Sequence, residues 1–130
     1  MRLILSAVLA IAVATPVLAK PPLRDVAEID DGLMAIAIAD EIRKSCDDIS
    51  ARMVRAMSTI RSLKKRAEAL GYSDEEIDDY VTSKAEKKRM RAKATAYLSS
   101  RGVEASDTKA LCRFGKTEIS RETDIGRLLR

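Results

Sequence analysis

Histidine and tryptophan are absent from this chain, and its only cysteines are Cys46 and Cys112. Without histidine the commonest general acid–base group is missing, and so is the commonest metal ligand. If the two thiols pair with each other, the usual cysteine nucleophile is lost as well. Aromatic residues are scarce, limited to Tyr72, Tyr80, Tyr97 and Phe114. A core must therefore be assembled from aliphatic residues, methionine and alanine, which bury less area per residue. No C-x-x-C pair, glycine-rich phosphate loop or G-x-S-x-G elbow is present. Adjacent carboxylates such as Asp30-Asp31, Asp40-Glu41 and Asp47-Asp48 would point about 100° apart on a helix and do not converge on a substrate. The chain reads as non-enzymatic, with no cofactor, no metal site and no small-molecule substrate expected. Met53 and Met57, at i and i+4, read as core filler rather than copper ligands.

A further absence is the alternation of apolar and polar residues that marks a half-buried strand, so no sheet is expected. What is present points to one exported domain. At 130 residues the chain has room for no more than one. Met1 and Arg2 give a positive start, Leu3 to Ala14 an apolar run, Thr15-Pro16 a break, and Val17-Leu18-Ala19 small residues suited to signal peptidase, with the cut after Ala19. A membrane anchor would need about 20 apolar residues, and this run is shorter and ends at Pro16. Removing residues 1–19 takes away Arg2 and no acid, leaving 23 basic and 20 acidic side chains, a net of +3. So mild an excess lacks the field of a nucleic-acid binder, and export to the periplasm removes that partner in any case. An oxidising compartment favours a structural disulfide between Cys46 and Cys112. Closing a loop of that length stabilises a fold by about 4 kcal/mol in the chain-entropy model.

Lys20-Pro21-Pro22-Leu23 cannot propagate a helix, so residues 20–29 read as an extended lead-in to a single helical domain over 30–130. From Asp30 to Cys46 the apolar residues and alanines run nearly all the way round a helix, which predicts burial on more than one side. Asp47-Asp48 can cap a new helix or mark a bend. Ile49, Met53, Ala56, Ile60, Leu63, Ala67 and Leu70 then alternate in steps of four and three, a seam expected to pack along a neighbouring helix until Gly71 stops it. Ser73 and Glu76 have capping-box spacing at the start of a third helix, with acids crowding its first turn. Unbroken to Ser100, that helix would be about 40 Å long. A last helix starts near Ser106-Asp107, and Thr123-Asp124 caps a short tail. The fold class is all-α, a small bundle of about four helices stapled by one disulfide.

One segment does not look like ordinary core packing. Six of the ten residues from Lys84 to Lys93 are basic (Lys84, Lys87, Lys88, Arg89, Arg91 and Lys93), against the single acid Glu86. The apolar stripe from Ile77 and Val81 runs into Lys84, Lys88 and Arg91, so either the helix projects past the core or it bends there. The exposed set Lys84, Lys87, Lys88 and Arg91 is either a solvated surface that complements the acidic first turn or a basic docking face for a partner. In the last helix Glu118 and Glu122 fall on the side that should face the core, which calls for an arginine such as Arg43 or Arg52, or for exposure at the domain edge. Gly115 would let that helix approach another closely near Cys112. The tail, with Ile125, Leu128 and Leu129, is expected to fold back onto the core, the alternative being exposure for a partner.

Ala39-Asp40-Glu41-Ile42-Arg43 leading to Cys46, Ile49-Ser50-Ala51-Arg52-Met53, Cys112 with Gly115 and Glu118-Ile119, and the ending Ile125-Gly126-Arg127-Leu128-Leu129 resemble a family of uncharacterised small secreted two-cysteine helical bacterial proteins. The resemblance implies a helical two-cysteine domain and carries over no catalytic residue. The resemblance also implies genes placed near those for respiratory-complex subunits, and with them an accessory or assembly role at a membrane complex. The expected function is a periplasmic protein-binding or accessory factor whose partner is another protein. The alternatives are an acid-stress chaperone and a protein that binds anionic membrane surface weakly through the basic stretch.

Overall fold

The computed structural model describes residues 19–130, so the leader expected over residues 1–19 lies, apart from Ala19, outside the described residues. Within them the chain is helical: α1 (Ala27–Ser45), α2 (Met53–Ala69), α3 (Asp74–Thr82), α4 (Lys84–Ser100) and α5 (Thr108–Arg121), with 3-10 turns at Leu23–Asp25 and Gly126–Leu128. The all-α bundle stands, with five helices where about four were expected. The extra one arises because the long third helix breaks at Ser83. That residue is extended (ψ 124°), ends α3, and accepts the Glu86 N–H on its hydroxyl at 3.2 Å to start α4. The lead-in is also shorter than residues 20–29: Leu23 is buried in the first 3-10 turn, and α1 begins at Ala27.

α1 lies at the centre, packed against α2, α4, α5 and both 3-10 turns. Its apolar residues run round the helix for that reason. Ile38 and Ile42 join Leu98, Leu111 and Leu129 in the main core, while Ile29 joins Leu23, Ala67, Tyr72 and Ile77 in a smaller one at the other end. The expected caps are in place. Ser73 and Glu76 form a reciprocal capping box on α3, Asp107 accepts the Ala110 N–H at the head of α5, and Gly71 ends α2 with φ +93°.

Cys46, at the end of α1, is bonded to Cys112 in α5, with the two Cα atoms 5.7 Å apart. The first and last long helices are thereby pinned together, as the cysteine count implied. Gly115, nearly one turn beyond Cys112, lets them meet. A Cβ there would stand 2.8 Å from Ile42 Cγ2 and 3.0 Å from Ile49 Cδ1.

The tail folds back. Ile125, Leu128 and Leu129 are buried, and Gly126 lies so close to the Glu118 carbonyl that no side chain fits between them. The residues between α1 and α2 are drawn into a clasp with this tail. Ser50 and Arg130 exchange N–H to carbonyl hydrogen bonds at 2.9 Å, and the Arg52 N–H donates to the Leu128 carbonyl at 2.8 Å. Asp47-Asp48 therefore marks a bend, and α2 starts only at Met53. The α2 seam is corrected in the same way. Ala67 is buried and Ala56 and Leu63 half-buried against α1, but Met53, Ile60 and Leu70 are exposed, and Ile49 lies before the helix.

Overpacking of the α1–α5 crossing by Gly115→Ala is expected to destabilise the domain by about 1–3 kcal/mol, measured by urea denaturation. Replacing both cysteines by serine is expected to remove about 4 kcal/mol. An unchanged unfolding midpoint in the double variant would show that the 66-residue separation contributes nothing through the unfolded chain.

Candidate functional site

The break at Ser83 resets the helix phase, and this decides what the basic stretch does. α4 turns Glu86, Arg89, Met90, Lys93, Tyr97 and Leu98 inward. Two of the six basic residues are thus aimed at α1, where they meet Asp30. Oδ1 of Asp30 accepts from Arg89 Nη2 at 2.5 Å and from the Tyr80 hydroxyl at 2.8 Å, and Oδ2 accepts from Lys93 Nζ at 2.6 Å. Arg89 also donates through Nε to Glu86 at 2.7 Å, Glu86 takes Arg24 on its other oxygen, and Lys93 reaches Asp31 at 2.6 Å. Asp30 is buried, and among the described residues no buried side-chain polar atom lacks a partner.

Burial opposes ionisation of Asp30, yet the hydrogen bonds from Arg89, Lys93 and Tyr80 outweigh it and hold its pKa down at about 2. Burial pushes the Tyr80 phenol up, and its hydrogen bond to the Asp30 carboxylate pushes the same way. For Lys93 burial acts against the charge, but Asp30 and Asp31 prevail and its pKa is raised. The arrangement holds its charges in fixed pairs. It is a clamp joining α1, α3 and α4.

The other four basic residues, Lys84, Lys87, Lys88 and Arg91, are exposed, and none of them is in an ion pair among the described residues. Bending rather than projection thus accounts for the lost apolar stripe. Beside this face runs an apolar groove of about 360 Å³. Its floor is α1 (Leu33, Ile36, Ala37), one wall is α2 (Met53, Ala56, Met57, Ile60), and the other is α3 and α4 (Tyr80, Val81, Lys87, Met90). The α2 wall joins the unpacked seam residues Met53 and Ile60 to Met57: Met53 is 60% exposed, Met57 45% and Ile60 41%, facing Val81 at 43%, so the two methionines are not the core filler expected of them. Two members of the ion clamp, Tyr80 and Glu86, also line the groove, so the clamp fixes where its second wall stands.

The expectation of an arginine for Glu118 is not met. Glu118 is buried, but its partner is neutral, the Thr123 hydroxyl donating to Oε2 at 2.5 Å. Arg52 Nε instead donates to the Leu129 carbonyl and Arg43 Nε to Asp40, while Glu122 is exposed at the end of α5. Sequence reasoning singled out the basic face but missed the groove and Asp30. The available signal was Ser83-x-x-Glu86, a second capping pattern within the long helix.

Asp30→Asn would leave Arg89 and Lys93 facing a neutral group and is expected to cost about 2–4 kcal/mol, toward the lower end because both cations reach water. The folded pKa of Asp30 lies below the ordinary 3.8. Its stabilisation is therefore complete above about pH 5 and is lost as pH falls toward about 2. Urea midpoints of the two proteins should differ by a constant amount from pH 5 to 7 and converge below pH 4. A gap unchanged at pH 2 would rule out the carboxylate as its source.

No curated protein and no solved structure matches the chain. A family model does match, over residues 21–130, which is nearly all of the described structure. The chain belongs to that family, described as a family of unknown function (DUF5333).

Proposed function

We propose that this protein is a non-enzymatic, exported binding protein of the periplasm, acting as an accessory or assembly factor whose working surface is the groove between α2 and α4. The observation that carries the reading is the uncovered apolar face of α2. Met53, Met57 and Ile60 repeat at helical spacing, as core residues do, yet stand open to water opposite Val81 and Met90. A continuous apolar surface of this kind on a small domain marks an interaction site. Methionines at its edges suit a surface that adapts to what it binds. The leader-like residues 1–19 and the Cys46–Cys112 disulfide support export to an oxidising compartment. A place at a membrane complex rests on the family resemblance alone.

The acid-chaperone reading draws only on the loss of the Asp30 contribution in acid, which any protein held by a paired carboxylate would show. Membrane-surface binding would use the basic face, but the apolar residues beside it line a recess rather than a ridge.

The tagged protein, purified from gently crosslinked cells, should carry one dominant protein. That protein should be lost when Met57→Glu and Ile60→Glu are combined, and kept when the exposed Lys109 on α5 is changed instead. Circular dichroism of each variant checks that the fold survives. Capture of many unrelated proteins in acid and none at neutral pH would replace this function with that of a chaperone.

A further inference from the structure

Resting on the groove as the working surface, we infer that its occupant is an amphipathic helix whose apolar stripe is bordered by acidic residues. Both acids that line the groove are already paired, Asp40 with Arg43 and Lys44 and Glu86 with Arg24 and Arg89, so the unanswered charge around it is positive. On α4 Lys87 lines the groove, and Lys84, Lys88 and Arg91 share the exposed side of that helix with it, all outside the ion pairs that hold Arg89 and Lys93. α2, which forms the opposite wall, carries Arg55, Arg61, Lys64, Lys65 and Arg66 against one acid, Glu68, with Arg55 turned to a different recess beside Leu63. Helical spacing puts Arg61 and Lys64 beside Met57 and Ile60, on the outer edge of the apolar strip. Their neighbours answer only part of this charge. Lys64 lies 3.3 Å from Asp74, Arg66 pairs with Glu28 away from the groove, and Arg61 and Lys65 have no ion pair among the described residues.

An apolar trough between two positive margins selects its occupant twice. The trough takes a stripe of large apolar side chains, and the margins favour carboxylates on either side of the stripe. Met53 to Ile60 spans about 10 Å of helix, which two turns of an occupying helix would cover. A second copy of this chain is a poor fit. Four of its six exposed large apolar residues, Met53, Val54, Met57 and Ile60, lie on α2, and entering the groove with them would bring the arginines and lysines of α2 against the same basic residues. The recess also separates a helix from a lipid surface, because a flat bilayer would touch the exposed lysines without filling the trough.

The test uses synthetic peptides of about 16 residues with helix-favouring sequence and a leucine stripe at i, i+4, i+7 and i+11. One carries glutamates beside the stripe, one carries lysines there, and one keeps the glutamates with the leucines scrambled. Binding to the disulfide-intact protein is read by fluorescence anisotropy. The glutamate-flanked peptide is expected to bind about tenfold or more tighter than either other peptide, an advantage that shrinks at high salt. Changing Lys84, Lys87, Lys88 and Arg91 together to Glu, all at exposed positions, should remove most of the advantage of the glutamate-flanked peptide, because only the α2 side then stays basic. Met57→Glu should weaken both leucine-striped peptides. Equal binding of those two to the unchanged protein, both lost on Met57→Glu, would overturn the acidic occupant and leave the groove as a binding surface. Binding of none of the peptides would overturn both. Displacement of the glutamate-flanked peptide by phosphatidylglycerol vesicles that bind the same face would overturn the inference in favour of membrane.

Discussion

Asp30 is one carboxylate on the central helix, and the placement of α3 and α4 follows from how its charge is answered. A buried ionised group is tolerated only when its lone pairs are taken up by donors of opposite charge. Arg89 and Lys93 can do so only if α4 presents that side to α1. α4 cannot at the same time continue the phase of α3, whose Ile77 and Tyr80 face the smaller core and the clamp. The helix is therefore cut at Ser83, where one extended residue supplies the change of phase and the hydroxyl restores a cap. Division of the basic segment into two inward and four outward side chains is a consequence of that cut. So is the position of the groove wall formed by Tyr80, Val81 and Met90.

Much of this was legible in the residues. The all-helical class came from apolar periodicity, the caps at Ser73 and Asp107 from local chemistry, and the crosslink from two cysteines in a chain that begins like an exported one. The close approach at Gly115 was legible because only a residue without a side chain suits a crossing next to a disulfide. Less legible were features that depend on what lies across the bundle. Ser83-x-x-Glu86 is a sound start signal, but the helix-favouring residues on both sides of it read as continuous. Ile49 fits the α2 seam by spacing and yet belongs to the bend, because Ser50 to Arg52 find better partners in the tail, nearly 80 residues away. Glu118 called for a cation by its position, but a hydroxyl five residues along the chain satisfies it. In each case local pattern set the type of group needed, and tertiary packing chose which group supplied it.

The groove was hidden for a related reason. Periodicity reports that a helix has an apolar face; it does not report whether the same chain covers it. α2 rests on α1 through small residues, Ala56 and Ala67 with Leu63 between them, and small residues let the helices lie close while turning the larger methionines aside. A chain with few aromatics would gain stability by burying those methionines. Leaving them open sacrifices some of that stability, and the disulfide and the ion clamp compensate for it elsewhere.

The clasp between Ser50–Arg52 and the tail also constrains the order in which the fold can form. α1 is made early in synthesis, yet Leu128 and Leu129, which close its main core, come last. Contacts between opposite ends of a chain form slowly, because the whole intervening loop must be ordered before they contribute. Until then α1 is an apolar helix with its widest face uncovered. A nascent chain of this sequence cannot complete its main core until synthesis has reached residue 129.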